Sequence, residues 1–244
     1  MTQQITKPRI VIYGTGRTGQ TIARLAIQKG WTIAAAFNRA GPKVGQDIGR
    51  LAGLDRDIGV VVQDCETATY ANLDAKIGIV TVTDILRQNL PAYQRLLGAG
   101  LNVICHGTEA YDPFGNDAEV AAQIDKLAKS KGVTFSGGGI WDMSRIWSGI
   151  LVAGPCTELK SMFHSSLTDC SRFGKPAMLH TGVGKSVDEF KQMAAAFAIL
   201  KTYKTIPQHV LDALGYAVTD VLFSVEPVTF DTPRPLAAST AFWA

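Results

Sequence analysis

The chain has 244 residues, of which 46% are hydrophobic and 18% charged, with a formal net charge of +3. This composition excludes a disordered or fibrous protein, and the small charge without a run of Lys and Arg argues against nucleic acid and anionic membranes as partners. The cysteines are widely spaced without a CxxC pattern, so we expect no metal site and a reducing compartment. With no signal-peptide core and no apolar run of roughly 20 residues, we expect no membrane segment and a cytoplasmic location.

The first predicted strand and helix flank a glycine-rich turn within RIVIYGTGRTGQTIARLA, residues 9–26. Gly14 suits a tight turn, Gly16 the close approach of a pyrophosphate, and Gly19 the packing of a helix on a strand, which together form a dinucleotide fingerprint. The alternative is a turn that only joins a strand to a helix. We expect the whole segment to contact the dinucleotide: Gly14, Thr15, Gly16, Arg17, Thr18 and Gly19.

Strand and helix patterns then alternate along the first half of the chain. Apolar runs predict strands at Val11–Tyr13, Thr32–Phe37, Gly59–Gln63, Ile77–Thr83, Leu101–Cys105 and in GVTFSG, residues 132–137. Helical periodicity predicts helices at Thr18–Lys29, Leu90–Leu97 and Ala118–Lys131. The alternation predicts an α/β fold of Rossmann type, a doubly wound parallel sheet of about six strands.

The residues after the second predicted strand bear on the choice of cofactor. In AFNRAGPK no acid stands where an NAD enzyme usually binds the ribose 2′-hydroxyl. Asn38, Arg39 and Lys43 could instead hold a 2′-phosphate, and Arg17 could add a further cation. We therefore expect NADP(H) to be preferred and NAD(H) to be possible. The alternative is that Arg39 and Lys43 are solvated loop charges.

The strand–helix alternation ends at a glycine cluster near residue 138. Beyond it, Val187–Leu200 has a helical pattern, while LKSMFHSSL (159–167) and VLFSVEPVTF (221–230) have strand-like patterns. We therefore expect a dinucleotide-binding domain at 1–138 and an α+β substrate and dimerisation domain at 139–244.

Four segments together resemble a known family. GTGRTG, KVGQDIGRLAG, NVICHGTEAYDP and GVTFSGGGIWDM look like the dihydrodipicolinate-reductase-like oxidoreductases, and among them most like the 2,4-diaminopentanoate dehydrogenases and native amine dehydrogenases. Dihydrodipicolinate reductase itself fits less well, because its histidine-histidine-lysine signature is missing. No histidine here has a lysine neighbour of that kind: His106, His164, His180, His209.

The resemblance implies NAD(P)H-dependent reductive amination of a small ketone or aldehyde with ammonia, or the reverse deamination of a primary amine. Glu109 matches the family's glutamate after the fifth strand, where it would stabilise ammonium or iminium and relay a proton. The alternatives for Glu109 are a solvated loop acid or a helix-start carboxylate near Asp117. Asp142 is a second choice as catalytic carboxylate, and Asp112, before a proline, suits a turn.

Further site residues follow from the same resemblance. Thr81, Thr83, Gly107 and Thr108 would face the nicotinamide ribose or amide, with a plain turn role as the alternative. An aromatic pocket would suit a small apolar substrate, although such residues are more often core. The expected pocket residues are Trp141, Met143, Trp147, Phe163, His164 and Phe173.

The chain departs from the family in length. It is shorter than related amine dehydrogenases, so we expect either a naturally short member or a piece of a longer chain. Phe242 and Trp243 at its apolar end need cover, and a homodimer through the second domain would supply it. Two other functions stay open: another NADPH-dependent reductase acting on a cyclic imine or carbonyl, and a non-catalytic NADP(H) sensor. The exact substrate and the physiological direction are not encoded in a recognisable motif.

Overall fold

A six-stranded parallel sheet forms the centre of the first unit in the computed structural model, which describes residues 7–165, 182–196 and 203–229, without the side chains of 140–143 and 195–196. The chain divides into two compact units, residues 1–145 and 146–244. The strands are β1 (Arg9–Tyr13), β2 (Thr32–Asn38), β3 (Val62–Asp64), β4 (Ile77–Val80), β5 (Asn102–Cys105) and β6 (Phe135–Gly137). The helices are α1 (Arg17–Gln28), α2 (Ile48–Leu51), α3 (Leu86–Gly98), α4 (Pro113–Asn116), α5 (Ala118–Lys131), α6 (Ile140–Ala153), α7 (Val187–Ala196) and α8 (Thr205–Ala213).

The strand order is β3-β2-β1-β4-β5-β6, with all neighbours parallel. After β3 the chain crosses back to place β4 against β1, so the order reverses between β1 and β4. In such sheets a crevice forms outside the carboxyl ends of the strands at this switch point. The predicted α/β fold with a doubly wound parallel sheet is therefore confirmed.

The central strand β1 supplies both faces of the sheet because its side chains alternate. Val11 and Tyr13 pack into one core with residues of α3 and α5, while Ile10 and Ile12 pack into another with α1 and α2. Ile10, Val11 and Ile12 have no exposed surface, and each buried aliphatic side chain of this kind stabilises the fold by about 1.5–3 kcal/mol. Helices on both faces are thus the consequence of a strand that is apolar on both faces.

Several element boundaries differ from the sequence-based prediction, and three of the differences have a local explanation or shift the bound by three residues or more. The run Gly59–Gln63 contributes only its end to β3, because Asp47 accepts the Val60 N–H and pairs with Val61 in an isolated antiparallel bridge. The fourth strand ends at Val80 rather than at residue 83. The helix α3 begins at Leu86 rather than at residue 90 and contains Pro91. Because proline is usually tolerated only in the first turn of a helix, the sequence predicted a start next to Pro91 and not one turn earlier.

The second unit, considered by itself, has a small apolar core built by helices. Ile146 of α6 packs with Ile206 and Val210 of α8, all of them buried. The sequence-based prediction of strands at 159–167 and 221–230 is wrong for their described residues, since 159–165 and 221–229 form no strand. Side chains such as Phe163 and Leu222 are 91% and 90% exposed, and no neighbouring strand among the described residues pairs with these segments.

Part of the second half lies outside the described residues. The predicted helix Val187–Leu200 is present as α7 up to Ala196, and residues 197–200 are not described. The apolar end with Phe242 and Trp243 also lies outside the described residues. The division into a dinucleotide domain at 1–138 and a substrate domain at 139–244 stays a prediction.

Candidate functional site

Two glycines of the predicted fingerprint are required by the protein's own packing. Gly14 has φ +101°, and a Cβ added there would lie 2.7 Å from the carbonyl oxygen of Thr81. A Cβ added at Gly19 would collide with the carbonyl oxygen of Gly14. The Gly14 N–H donates to the Phe37 carbonyl at 2.8 Å, so the turn is fixed to the end of β2. Gly14 and Gly19 therefore need no ligand to explain them.

Gly16 differs from both. Its φ of −70° and ψ of −171° are open to any residue, and an added Cβ would meet no atom within 4 Å. It is the N-cap of α1, a 12-residue helix, and its N–H has no acceptor among the described residues. A helix N-terminus with a free N–H beside open space suits an anion. Arg17 and Thr18 form the first turn of the same helix.

The tip of β2 lies against the glycine turn. The Asn38 side chain accepts the Thr15 N–H at 3.3 Å through Oδ1 and donates to the Arg39 carbonyl at 3.2 Å through Nδ2. Lys43 Nζ donates to the Thr15 carbonyl at 3.0 Å. The Arg39 side chain is exposed, and its guanidinium has no partner among the described residues. The structure thus brings Asn38 and Lys43 to the turn and leaves the Arg39 guanidinium accessible.

Thr81 and Thr83 at the end of β4 are occupied by contacts within the protein. The buried Thr81 hydroxyl donates to the Gly14 carbonyl at 2.6 Å, which stabilises the glycine turn. The Thr83 hydroxyl accepts the Ile85 N–H at 3.4 Å, and the Thr83 carbonyl accepts a bond from Asn89. These contacts favour the turn role that the sequence left open for both threonines.

Gly107 and Thr108, after β5, are tied to the loop after β4. The Thr108 N–H and hydroxyl both donate to Asp84 Oδ1, at 3.1 and 3.0 Å. Gly107 is buried, and a Cβ there would lie 2.7 Å from the Thr83 carbonyl oxygen. Asp84 was missed by the sequence analysis, because a single acid in a loop carries no signal for a partner 24 residues away.

Cys105, the last residue of β5, connects the loop after β5 to α3. Its sulfur accepts hydrogen bonds from the Tyr93 hydroxyl at 3.0 Å and from the Gly107 N–H at 3.2 Å. Burial raises the pKa of the Cys105 thiol, with the hydrogen bonds from Tyr93 and Gly107 acting in the opposite direction. The thiol is therefore neutral and structural. In the sequence this cysteine is simply the last residue of an apolar strand.

Glu109 lies in the loop after β5, on a single 3-10 turn (Thr108–Tyr111). This loop follows the carboxyl end of the strand, on the side of the sheet where the crevice forms. The half-buried carboxylate accepts the Leu86 N–H at 2.7 Å through Oε2, at the first residue of α3. Its Oε1 has no partner among the described residues. Glu109 is thus a helix-start carboxylate, as one alternative proposed, but for α3 rather than for the helix near Asp117.

The neighbouring acids serve local helix starts. Asp117 accepts the Val120 N–H at the start of α5 and pairs with Arg87, and these bonds lower the pKa of its carboxyl, the bond to Arg87 most of all. Asp112 accepts the Gly115 N–H at 3.0 Å, which is the turn role predicted for it.

The predicted pocket residues lie in α6 and beyond. Trp141 and Met143 stand in α6, as does Asp142, and nothing is described of these side chains. Trp147, also on α6, and Phe163 are 58% and 91% exposed, and His164 is exposed too. Phe173 lies outside the described residues. Their part in a substrate pocket stays a prediction.

Metal-ligand clusters and membrane-spanning helices are both absent from the described part of the chain. His, Cys, Asp and Glu side chains there form no group of three or more that could hold a metal ion. No described helix has both the length and the apolar character needed to cross a bilayer.

The strand order, the switch point and the glycine turn define a Rossmann-type α/β fold. Among proteins of known activity, the chain is 27% identical over 243 residues to 2,4-diaminopentanoate dehydrogenase from Acetoanaerobium sticklandii, covering 93% of this chain and 66% of that protein. Among solved structures, amine dehydrogenase from Mycobacterium smegmatis superposes with a TM-score of 0.67 and 27% identity, covering 86% of this chain and 61% of the other. The predicted resemblance to this group of dehydrogenases is confirmed.

A more distant likeness concerns the fold alone. The WlbA (WbpB) dehydrogenase from Thermus thermophilus, in complex with NAD and UDP-GlcNAcA, has a TM-score of 0.50 with 13% identity over 85% of this chain. No protein-family profile matches the chain. The chain spans 66% and 61% of the lengths of the diaminopentanoate and amine dehydrogenases that it matches.

Proposed function

We propose that the crevice at the carboxyl ends of β1 and β4 binds NAD(P)(H). The observation that carries this proposal is Gly16, whose side-chain position is open and whose N–H lacks an acceptor among the described residues. A pyrophosphate there would accept this N–H and lie at the N-terminus of α1. Neither backbone conformation nor packing requires glycine at this position, so a ligand's close approach is the reason for it.

NADP(H) is the preferred form in this proposal. The β2 tip carries Asn38 instead of an acid, and the exposed Arg39 beside it has a guanidinium without a partner among the described residues. Such a planar cation can hold a 2′-phosphate through two parallel hydrogen bonds. NAD(H) would lose this contact and bind more weakly.

For the reaction, we propose amine dehydrogenation, run in one direction as reductive amination of a small ketone or aldehyde with ammonia. Similarity to two amine-acting dehydrogenases supports it. The nicotinamide, when bound, supplies or accepts the hydride. Glu109 would balance the charge of ammonium or iminium and move a proton through Oε1, while the Leu86 N–H holds Oε2 and keeps the group in one orientation.

The bond from Leu86 also favours a purely structural Glu109, as expected for a non-catalytic NADP(H) sensor or for a reductase that uses another group. Glu109→Gln separates these possibilities, because the amide oxygen can still accept the Leu86 N–H while the carboxylate is lost. NADPH absorbance is followed with small ketones and aldehydes, with and without ammonium.

Homodimerisation through 139–244 and a cytoplasmic location stay predictions, the first of them testable by light scattering.

We expect ammonium-dependent NADPH oxidation, and a drop in turnover of about 10²-fold in Glu109→Gln with nucleotide affinity unchanged. Glu119→Gln is the matched control, since this side chain lies on α5, is 70% exposed and makes only a surface ion pair with Arg87 among the described residues. Normal turnover in Glu109→Gln would contradict the catalytic role. Oxidation that needs no ammonium would indicate the other reductase, and binding without turnover the sensor.

A further inference from the structure

The carbonyl of Thr15 is held by two side chains that come from different parts of the fold. Lys43 Nζ, in the loop after β2, donates to it at 3.0 Å, and Gln20 Nε2, on α1, donates to it at 3.0 Å as well. The Thr15 N–H is held in turn by Asn38 Oδ1 at 3.3 Å. Both ends of this residue are therefore anchored by side chains rather than by strand or helix bonds.

The planarity of the peptide bond turns this anchoring into an effect on Gly16. The Thr15 carbonyl and the Gly16 N–H belong to one trans peptide, so they point to opposite sides of it. Donors that fix the oxygen also fix the direction of the N–H. That N–H is the one without an acceptor among the described residues, beside the open position of Gly16.

The side chains of Lys43 and Arg39, which are close in sequence, differ in exposure and in hydrogen bonding. The half-buried Lys43 donates a hydrogen bond to the Thr15 carbonyl, whereas the Arg39 guanidinium is exposed and has no partner among the described residues. A 2′-phosphate reader needs a cation that is accessible at the β2 tip. A cation that orients a backbone N–H by binding the carbonyl of the same peptide does not need to be exposed.

We propose that Lys43 is a positioning residue that acts through the Thr15–Gly16 peptide on the diphosphate shared by both nucleotides, and not a reader of the 2′-phosphate. The inference rests on the proposed function, since it concerns the same nucleotide site. It predicts that Lys43 governs affinity without selectivity, while Arg39 governs selectivity.

The test is Lys43→Met in the 244-residue chain, with dissociation constants for NADPH and NADH measured by fluorescence titration. We expect both constants to rise by a similar factor of about ten, so that their ratio is unchanged. Lys43→Arg, which restores a donor, should recover most of the affinity. Arg39→Ala is the contrasting control and should weaken NADPH alone. Urea unfolding of Lys43→Met should give the wild-type midpoint.

Gln20→Met removes the other donor to the same oxygen and provides a second test if Lys43→Met does not fold. It should again weaken NADPH and NADH by a similar factor. The proposal is overturned if Lys43→Met weakens NADPH with NADH unaffected, or if both constants stay at the wild-type value. If the wild-type chain binds neither nucleotide, the proposed function itself fails, which is a different result from either of these.

Discussion

Gly16→Ser tests whether the open position at the start of α1 is kept clear for a ligand. In the free protein the added side chain meets no atom within 4 Å, and φ and ψ at Gly16 suit any residue. Serine is also a better N-cap than glycine, because its hydroxyl can accept an N–H of the first turn. The substitution should therefore leave the free energy of unfolding unchanged or raise it by roughly a few tenths of a kcal/mol.

Nucleotide binding should respond in the opposite way. The serine side chain would occupy the space beside the Gly16 N–H, and loss of a hydrogen bond to a charged acceptor costs about 1.5–3 kcal/mol. This corresponds to a rise of roughly 10- to 100-fold in the dissociation constant of NADPH. The assay pairs urea unfolding, followed by circular dichroism, with NADPH fluorescence titration on the same preparations.

Gly19→Ser is the matched control, because a Cβ there collides with the Gly14 carbonyl oxygen. Overpacking of this kind should lower the free energy of unfolding by about 1–3 kcal/mol. Gly19→Ser thus loses stability first, whereas Gly16→Ser loses only binding. The reasoning is refuted if Gly16→Ser binds NADPH as the wild type does, or if it loses as much stability as Gly19→Ser.

The other predictions concern coenzyme choice and acid stability. Arg39→Ala should raise the NADPH dissociation constant about tenfold or more and leave NADH within about twofold, and equal losses would show that Arg39 does not bind the 2′-phosphate. Asp47 is partly buried, which raises its pKa, but N–H bonds from Ile58, Gly49, Val60 and Gly59 outweigh this and lower the pKa overall. Asp47→Ala should therefore lower the free energy of unfolding by about 1.5–3 kcal/mol at pH 7. The lowered pKa means that the folded protein stabilises the ionised carboxylate of Asp47 and not the protonated form. The difference in free energy of unfolding between wild type and variant should therefore be complete above about pH 4 and shrink as the pH falls through the folded pKa. Urea titrations across this range check it, and a difference that grows in acid would contradict the assignment.

The sequence alone was sufficient to predict the six strands and the helices α1, α3 and α5 of the first unit, although not all of their bounds. Apolar runs on β1, β2 and β4 predict buried strands, and the periodicity of α5 predicts its bounds as Ala118–Lys131, as observed. These signals are local, since they depend on which side chains recur at a spacing of two or of three to four residues. The glycine turn is local as well, so its place between strand and helix could be predicted.

In the second half the same local signals were misleading. The apolar alternation in 159–167 and 221–230 resembles that of a strand, but a strand also needs a neighbour to accept its backbone hydrogen bonds. No such neighbour pairs with the described residues 159–165 and 221–229. Periodicity reports which side chains could be buried together and carries no information about the partner.

The details of the site were decided by tertiary structure. The sequence contains three glycines in the fingerprint spacing, but only the packing distinguishes Gly14 and Gly19, which the protein needs, from Gly16, which it does not. Glu109 could be predicted to follow the fifth strand, whereas its bond to the Leu86 N–H joins residues 23 apart. Lys43 likewise meets Thr15 across 28 residues. Such contacts form only when parallel strands bring their carboxyl ends to one edge, because that edge gathers loops that are distant in sequence.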